Sequence, residues 1–176
     1  MKILIVSDTH RRNENYFQVI EQLGKLDLVI HCGDTEGSEY AISEGAGCET
    51  LIVMGNNDFF SKLPREIETT IGKYKVWITH GHNYYVSMNN EIIKEEAVRR
   101  GVDIVFYGHS HRPTVEIEKD IIAVNPGSLS YPRQEGKRPS YVVMDIDRNG
   151  EAHFTICYLS VSYTHLRAHE TSAHLV

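Results

Sequence analysis

Five short runs in this chain carry side chains that bind divalent cations: Asp8-Thr9-His10, Gly33-Asp34, Gly55-Asn56-Asn57-Asp58, His80-Gly81-His82 and Gly108-His109-Ser110-His111. Imidazole nitrogen combined with carboxylate oxygen favours manganese, iron, zinc or cobalt over calcium. In Asp-x-His and His-x-His the two side chains fall on one side of an extended segment, because side-chain direction repeats every two residues. A carboxylate such as Asp34 can bridge two cations, and the amide oxygen of Asn56 adds a ligand without adding charge. Taken singly, each run has an ordinary explanation: Asp8 as a helix cap, 55–58 as a turn, His80 and His82 as solvated loop residues. The joint pattern asks for more, because the runs occur in order and each follows an apolar segment.

Those apolar segments must position the chemistry. Residues 2–6, 26–31, 51–54, 74–79 and 102–107 predict core strands, covered on both faces. Helical spacing over 15–24 places Tyr16, Phe17, Ile20 and Leu23 together and stops at Gly24. Further helices are expected over 36–44 and 87–100. From residue 114 the pattern changes to short strands at 114–118, 121–124, 141–146 and 152–158, separated by turns at Lys119-Asp120 and Arg148-Asn149-Gly150. Alternation followed by a β-rich end predicts an α/β sandwich with a mixed sheet. Loops beyond the carboxyl ends of such strands form the usual binding crevice, so the five polar runs are expected to converge there. Gly33, Gly55, Gly81 and Gly108 are expected to turn the backbone sharply at those ends.

The formal net charge is −6, which argues against a protein that grips long nucleic acid through its phosphates. It leaves room for a small phosphate substrate, because bound cations reverse the local field. No apolar run approaches the roughly 20 residues of a membrane span, so no membrane partner is expected. Cys32, Cys48 and Cys157 are scattered and form no Cys-x-x-Cys pair, which reads as reduced thiols of a cytoplasmic protein. Residues 161–176 are polar and follow neither period. Their first eleven positions, Val161 to Thr171, resemble the translation of a transposase adapter used in sequencing libraries. They are expected to be a non-native tail on a domain spanning 1–160.

The set Asp8-x-His10, Gly33-Asp34, Gly55-Asn56-x-Asp58, His80 and Gly108-His109-x-His111 resembles, in order, the motifs of the calcineurin-like metallophosphoesterases. Ser7-Asp8-Thr9-His10, Thr79-His80-Gly81-His82, Tyr107 to Pro113 and Asn125-Pro126-Gly127-Ser128 are similar to the small bacterial and archaeal phosphodiesterase branch. The resemblance implies a four-layer αββα sandwich, two mixed β-sheets flanked by helices. It implies two divalent metal ions, manganese first, with iron, zinc, cobalt or nickel as competitors. One would take Asp8, His10 and His111, the other Asn56, His80 and His109, with Asp34 bridging. Two neighbouring cations lower the pKa of a shared water to roughly 7, so the expected nucleophile is a bridging hydroxide.

The remaining roles are expectations of the same reading. His82 and Asp58 are the further catalytic candidates, His82 to contact phosphate or the leaving oxygen and Asp58 to orient its loop. Arg11 and Asn57 are the substrate-binding candidates. Many relatives outside this branch carry histidine where Asn57 stands, and an asparagine cannot protonate a leaving group at neutral pH. Esters with good leaving groups are therefore expected. His31 reads as a core or supporting histidine, and His153 is given no role. The expected partner is a small phosphate-ester or nucleotide-like substrate, hydrolysed as a phosphodiester. The alternatives are a phosphomonoesterase, or a non-catalytic interaction scaffold such as the retromer subunit that shares the fold.

Overall fold

Strand β1 (Lys2–Val6) is apolar from Ile3 onward because both of its faces are covered. Ile3 and Ile5 point into a core between two sheets, whereas Leu4 and Val6 point into a second core under two helices. The same parity runs through the partner sheet, where Val76 and Ile78 face the first sheet and Trp77 faces a helix. Both sides of each sheet are thus apolar, which explains why the central strands read as continuous hydrophobic runs.

The computed structural model describes residues 1–159. Along the chain, β1 is followed by α1 (Glu14–Leu23), β2 (Leu28–His31), α2 (Glu39–Ala46), β3 (Glu49–Ile52), β4 (Glu66–Ile71) and β5 (Tyr74–Thr79). A 3-10 turn at His82–Tyr84 leads to α3 (Glu91–Arg100), then β6 (Ile104–Phe106), β7 (Pro113–Ile117), β8 (Ile122–Pro126), β9 (Ser140–Ile146) and β10 (Ala152–Tyr158). One five-stranded sheet has the order β10-β9-β1-β2-β3, and the other β4-β5-β6-β8-β7. In the first, β1, β2 and β3 are parallel; in the second, β5, β6 and β8 are parallel. Helices α1 and α2 cover the outer face of the first sheet, and α3 covers that of the second. The chain is therefore a four-layer αββα sandwich. The expected tail, residues 161–176, lies outside the described residues.

Three local expectations shift. Strand β4 was not expected, because its alternation Glu-Ile-Glu-Thr-Thr-Ile holds only two apolar residues; it is an edge strand that pairs antiparallel with β5. Helix α2 begins three residues later than the predicted start at 36, because Glu36 (φ 53°) and Gly37 (φ 85°) are left-handed and cannot enter a right-handed helix. Helix α3 begins at Glu91 rather than 87, because the Asn89 side chain accepts the Glu91 N–H (3.1 Å) and takes the first turn out of helical bonding.

Charged side chains fasten the outer layer. Lys94 on α3 reaches Glu116 (3.2 Å) and Glu118 (2.7 Å) at β7. Arg100 stacks 4.1 Å from the Trp77 ring centre and pairs with Glu66 and Glu68 of β4.

His31 ends β2 fully buried, with its Nδ1 accepting the Gly33 N–H (3.2 Å) and its Nε2–H donating to Thr9 Oγ1 (3.1 Å). Burial pulls this imidazole from 6.5 down to about 4. The unfolded chain therefore takes up the proton first. The stabilisation from a neutral His31 is present above pH 6.5 and is lost as pH falls towards 4, by up to roughly 3 kcal/mol. We expect the melting temperature of His31→Gln to fall less steeply than that of the parent chain between those pH values. Parallel melting curves would refute this assignment.

Candidate metal centre

The parallel strands of both sheets end at one seam. Strands β1, β2 and β3 deliver Asp8, Asp34 and Asn56 from one side, and β5 and β6 deliver His80 and His109 from the other. The loops are zipped together by backbone bonds from Asp8 N–H to Gly33 O (3.0 Å), His10 N–H to Asp34 O (2.9 Å) and Gly108 N–H to His80 O (3.1 Å). The expected crevice at strand ends exists, but it is shared between two sheets instead of lying along one.

Two carboxylates occupy the middle, Asp8 fully buried and Asp34 nearly so. Around Asp8 Oδ1 stand His111 Nε2 at 3.0 Å, His10 Nε2 at 3.7 Å and His80 Nε2 at 4.0 Å. Around Asp34 Oδ2 stand His80 Nε2 at 3.5 Å and His10 Nε2 at 3.8 Å. Asn56 Oδ1 lies 3.0 Å from His80 Nε2. The ring of His109 packs against His80, 5.2 Å between centres, and its backbone N–H donates to Asp8 Oδ2 (3.1 Å).

The imidazoles are aimed. His10 donates Nδ1–H to Glu36 Oε1 (2.6 Å), His80 to Cys32 O (2.7 Å) and His111 to Tyr131 O (2.7 Å). Each acceptor fixes the proton on Nδ1, so each Nε2 faces the carboxylates with a lone pair when neutral. Asp8 Oδ1 and His10 Nε2 are buried and have no hydrogen-bond partner among the described residues. Unsatisfied buried polar atoms are rare without a reason. Metal–nitrogen and metal–oxygen bonds of about 2.0–2.2 Å place neighbouring donors roughly 3–4 Å apart, which is the spacing found here. The groups Asp8, His10, His111 and Asp8, Asp34, His80 each bring their donor atoms within 4.8 Å of one another. Each of these two groups fits a divalent cation.

The electrostatics agree with that fit. Burial opposes ionisation of Asp8, yet the adjacent His111 imidazole, 3.0 Å away, and the charge of His80 hold its carboxyl below the ordinary value. Burial opposes the Asp34 charge too, but His80 and the Asn57 hydrogen bonds hold it down. Burial would lower His80, whereas its bonds to Asp34 and the charge of Asp8 raise it to about 9. His109 is lowered to about 4 by burial and by His80.

The other expected residues take distinct places. Asp58 Oδ2 accepts from Asp34 N–H (2.8 Å) and Gly55 N–H (2.7 Å), and Oδ1 from Thr35 Oγ1 (3.1 Å) and Glu36 N–H (2.6 Å). Its carboxylate is committed to clamping the loop after β2 to the loop after β3, a positioning role with no acceptor left for the reaction. Asn57 donates its side-chain amide to Asp34 Oδ2 (2.7 Å) and its backbone N–H to Asp34 Oδ1 (2.8 Å), so it orients the expected bridging carboxylate. Arg11 bonds the Glu36 carbonyl through Nε and stands at the rim of a cavity of about 390 Å³ that Phe59 and Phe60 also line. His82 is half-buried, 5.4 Å from the His80 ring, with a buried Nδ1 that has no partner among the described residues. His153 is exposed and pairs with Asp147 (3.0 Å), away from this centre.

Two features were not anticipated. Glu36 orients His10, and it sits two residues after Asp34, where the alternation that linked Asp8 to His10 had the power to find it. Gly55 and Gly108 do not turn the backbone through positive φ; they clear space. A Cβ at Gly55 would lie 2.1 Å from Asp34 Oδ1, and one at Gly108 would lie 2.0 Å from Ser7 Oγ. Gly33 (φ 99°) and Gly81 (φ 95°) do make the expected turns.

Two sheets meeting at a buried histidine–carboxylate cluster define the class, an α/β sandwich built around a candidate metal centre. Residues 1–149 match the model of the calcineurin-like phosphoesterase superfamily domain. The chain is 31% identical over 150 residues to YsnB, a probable metallophosphoesterase of Bacillus subtilis (strain 168), spanning 85% of this chain and 86% of that one. It is 33% identical over 146 residues to MJ0936, a phosphodiesterase of Methanocaldococcus jannaschii, spanning 72% and 83%. A structure from Streptococcus pneumoniae TIGR4, described as a predicted phosphoesterase, superposes with a TM-score of 0.72 at 29% identity over 90% of this chain and 97% of that one. Zinc-complexed Vps29 of Entamoeba histolytica shares the fold, with a TM-score of 0.71 at 20% identity over 90% and 99%. The chain belongs to the calcineurin-like phosphoesterase superfamily, a family that uses divalent metals.

Asp58→Asn sets an amide against two backbone N–H donors at Gly55 and Asp34. We expect the variant to fold and to bind manganese or zinc about 10–100-fold more weakly in calorimetric titration. Unchanged affinity with a reduced kcat at saturating metal would instead place Asp58 in the reaction.

Proposed function

We propose that this protein is a two-metal phosphodiesterase acting on small, nucleotide-like phosphate esters. The observation that carries the reading is the donor set: three imidazoles locked with Nε2 towards two buried carboxylates, with Asp8 Oδ1 and His10 Nε2 left without a hydrogen-bond partner among the described residues. In this reading Asp8, His10 and His111 would hold one cation and Asn56, His80 and His109 the other, with Asp34 shared between them. When bound, the cations supply Lewis acidity and an activated water nucleophile.

The chain's own residues do the rest. Asn57 and Asp58 fix Asp34 and its loop, so the bridging carboxylate does not swing when substrate enters. His82 faces the Asn56 side across a smaller cavity of about 280 Å³ lined also by Met54 and Arg65. Burial, followed by the charge of His80, lowers its pKa, so it stands neutral at pH 7 and can accept a hydrogen bond or position a leaving oxygen. Asn57 cannot protonate a leaving group, which favours esters that leave without help. Among the described residues no helix is long and apolar enough to cross a membrane. The unpaired cysteines support a cytoplasmic setting, and the net charge of −6 supports small substrates over long nucleic acid.

Chelator-stripped protein should not turn over bis(4-nitrophenyl) phosphate, and manganese, iron, zinc, cobalt or nickel added singly should restore it. We expect the diester to be preferred over 4-nitrophenyl phosphate, the rate to drop steeply as the leaving group becomes more basic, and Asp34→Ala to lose at least about 100-fold. A preference for the monoester would make the protein a phosphomonoesterase. No turnover with any metal would favour the scaffold reading that the likeness to Vps29 raises.

A further inference from the structure

A cavity of about 900 Å³ opens beside the candidate centre, lined by His10, His111, Tyr131 and three cations, Arg112, Arg133 and Lys137. The volume suits a nucleotide-sized group. The loop that carries Arg133 and Lys137 is bolted to the metal-ligand segments. His111 Nδ1–H donates to Tyr131 O (2.7 Å), Arg133 N–H donates to His111 O (3.0 Å), and Ser130 Oγ donates to Thr9 O (2.7 Å). The backbone at Arg112 and Arg133 is therefore held next to His10 and His111, and the three cationic side chains are exposed along the open side of the cavity.

Their charge is uncompensated. The chain has 24 acidic and 18 basic residues, so carboxylates are in excess. Lys94 and Arg100 each pair with three of them. Among the described residues, none of Arg112, Arg133 and Lys137 has a carboxylate within salt-bridge distance. The carboxylate that lines the cavity, Glu36, is bonded to His10 Nδ1. A fourth cation, Arg12, lies 4.7 Å over the ring of Tyr131. Three cations in one cavity, unpaired among the described residues, in an acidic protein and next to a centre that would hold a phosphate, suit a second anionic group.

We propose that this cavity is a subsite for a second anionic group on the substrate, one phosphate beyond the ester that is cleaved. This rests on the phosphodiesterase reading and narrows it to diesters whose nucleoside arm is itself phosphorylated. Arg112 and Arg133 present planar, multiply donating guanidinium groups to that phosphate, and Lys137 adds a point charge.

Two chromogenic esters test it on the metal-loaded full chain: thymidine 5′-(4-nitrophenyl phosphate), with and without a 3′-phosphate. We expect kcat/KM to be about tenfold higher with the 3′-phosphate, and the advantage to shrink between about 50 and 500 mM salt as screening sets in. The ratio should fall towards one in the combined variant Arg112→Gln, Arg133→Gln, Lys137→Gln. Equal hydrolysis of both esters, or a preference that survives the triple substitution, overturns the subsite while leaving the phosphodiesterase reading in place. Failure to hydrolyse either ester counts against the phosphodiesterase reading. Calorimetry then decides the subsite alone: about tenfold tighter binding of thymidine 3′,5′-bisphosphate than of thymidine 5′-monophosphate upholds it, and equal binding overturns it.

Discussion

Two carboxylates, Asp8 and Asp34, are withdrawn from water at one point, and positive charge must sit beside them. His80 stands within 4.0 Å of Asp8 and 3.5 Å of Asp34. Burial works against its protonation, yet the two carboxylates drive its pKa up to about 9. The imidazolium is a partial remedy. The charge of one imidazolium does not balance two ionised carboxylates, and Asp8 Oδ1 still lacks a hydrogen-bond donor among the described residues. The rest of the centre is arranged as if further positive charge belonged there: acceptors behind His10, His80 and His111, donors from Asn57 and His109 onto the carboxylates, and among the described residues no lysine or arginine side chain bonded to either.

Holding that arrangement uses conformations the backbone resists. Asp8, His10, Asp34, His109 and His111 all lie at positive φ, between 45° and 64°. A non-glycine residue there costs roughly 1–2 kcal/mol, and such strain persists only where the surroundings over-determine it. The surroundings do. Asn125, buried at the end of β8, donates to Gly108 O (2.9 Å) and Ser110 Oγ (3.0 Å) behind the His109–His111 loop, and Ser128 Oγ donates to Asp8 O (2.8 Å). The centre also depends on the core between the sheets. Asp8, Asp34 and Asn56 belong to one sheet and His80 and His109 to the other, so Ile3, Ile5, Ile78 and Phe106, packed across the seam, set the distance between them.

Much of this was legible in the residues because strand ends announce themselves. Continuous apolar runs closing on Ser7-Asp8, Gly33-Asp34 and His80 located the parallel strands and the polar groups beyond them in one step. The division into two sheets was carried by resemblance and not by periodicity, since a strand covered on both faces has no alternation to reveal which layer it joins. Edge strand β4 escaped because Ile67 and Ile71 alone face the core. The work of Asp58 was anticipated in kind, as an orienting group, because a carboxylate three residues after a loop glycine bonds backbone donors readily. The bonds of Asn57 to Asp34 were not legible, because nothing local to residue 57 names that partner, which depends on how two loops from adjacent strands approach. The steric duty of Gly55 and Gly108 is hidden for the same reason.

The pattern of strain and unsatisfied atoms also bears on catalyst against scaffold. An interaction surface needs outward-facing groups and gains nothing from inward-facing donors. For folding alone, replacing buried ionisable groups by apolar ones is commonly neutral or stabilising, and five left-handed non-glycine residues at one point are a standing cost. A chain used only as a scaffold would be free to shed both. This one carries Asp8, Asp34 and the aimed imidazoles of His10, His80 and His111 together with the groups behind them, Glu36, Asp58 and Asn125, whose bonds hold the ligands and their loops in place. Supporting groups are useful only while what they support is in use, so their joint presence weighs towards a centre that still does chemistry.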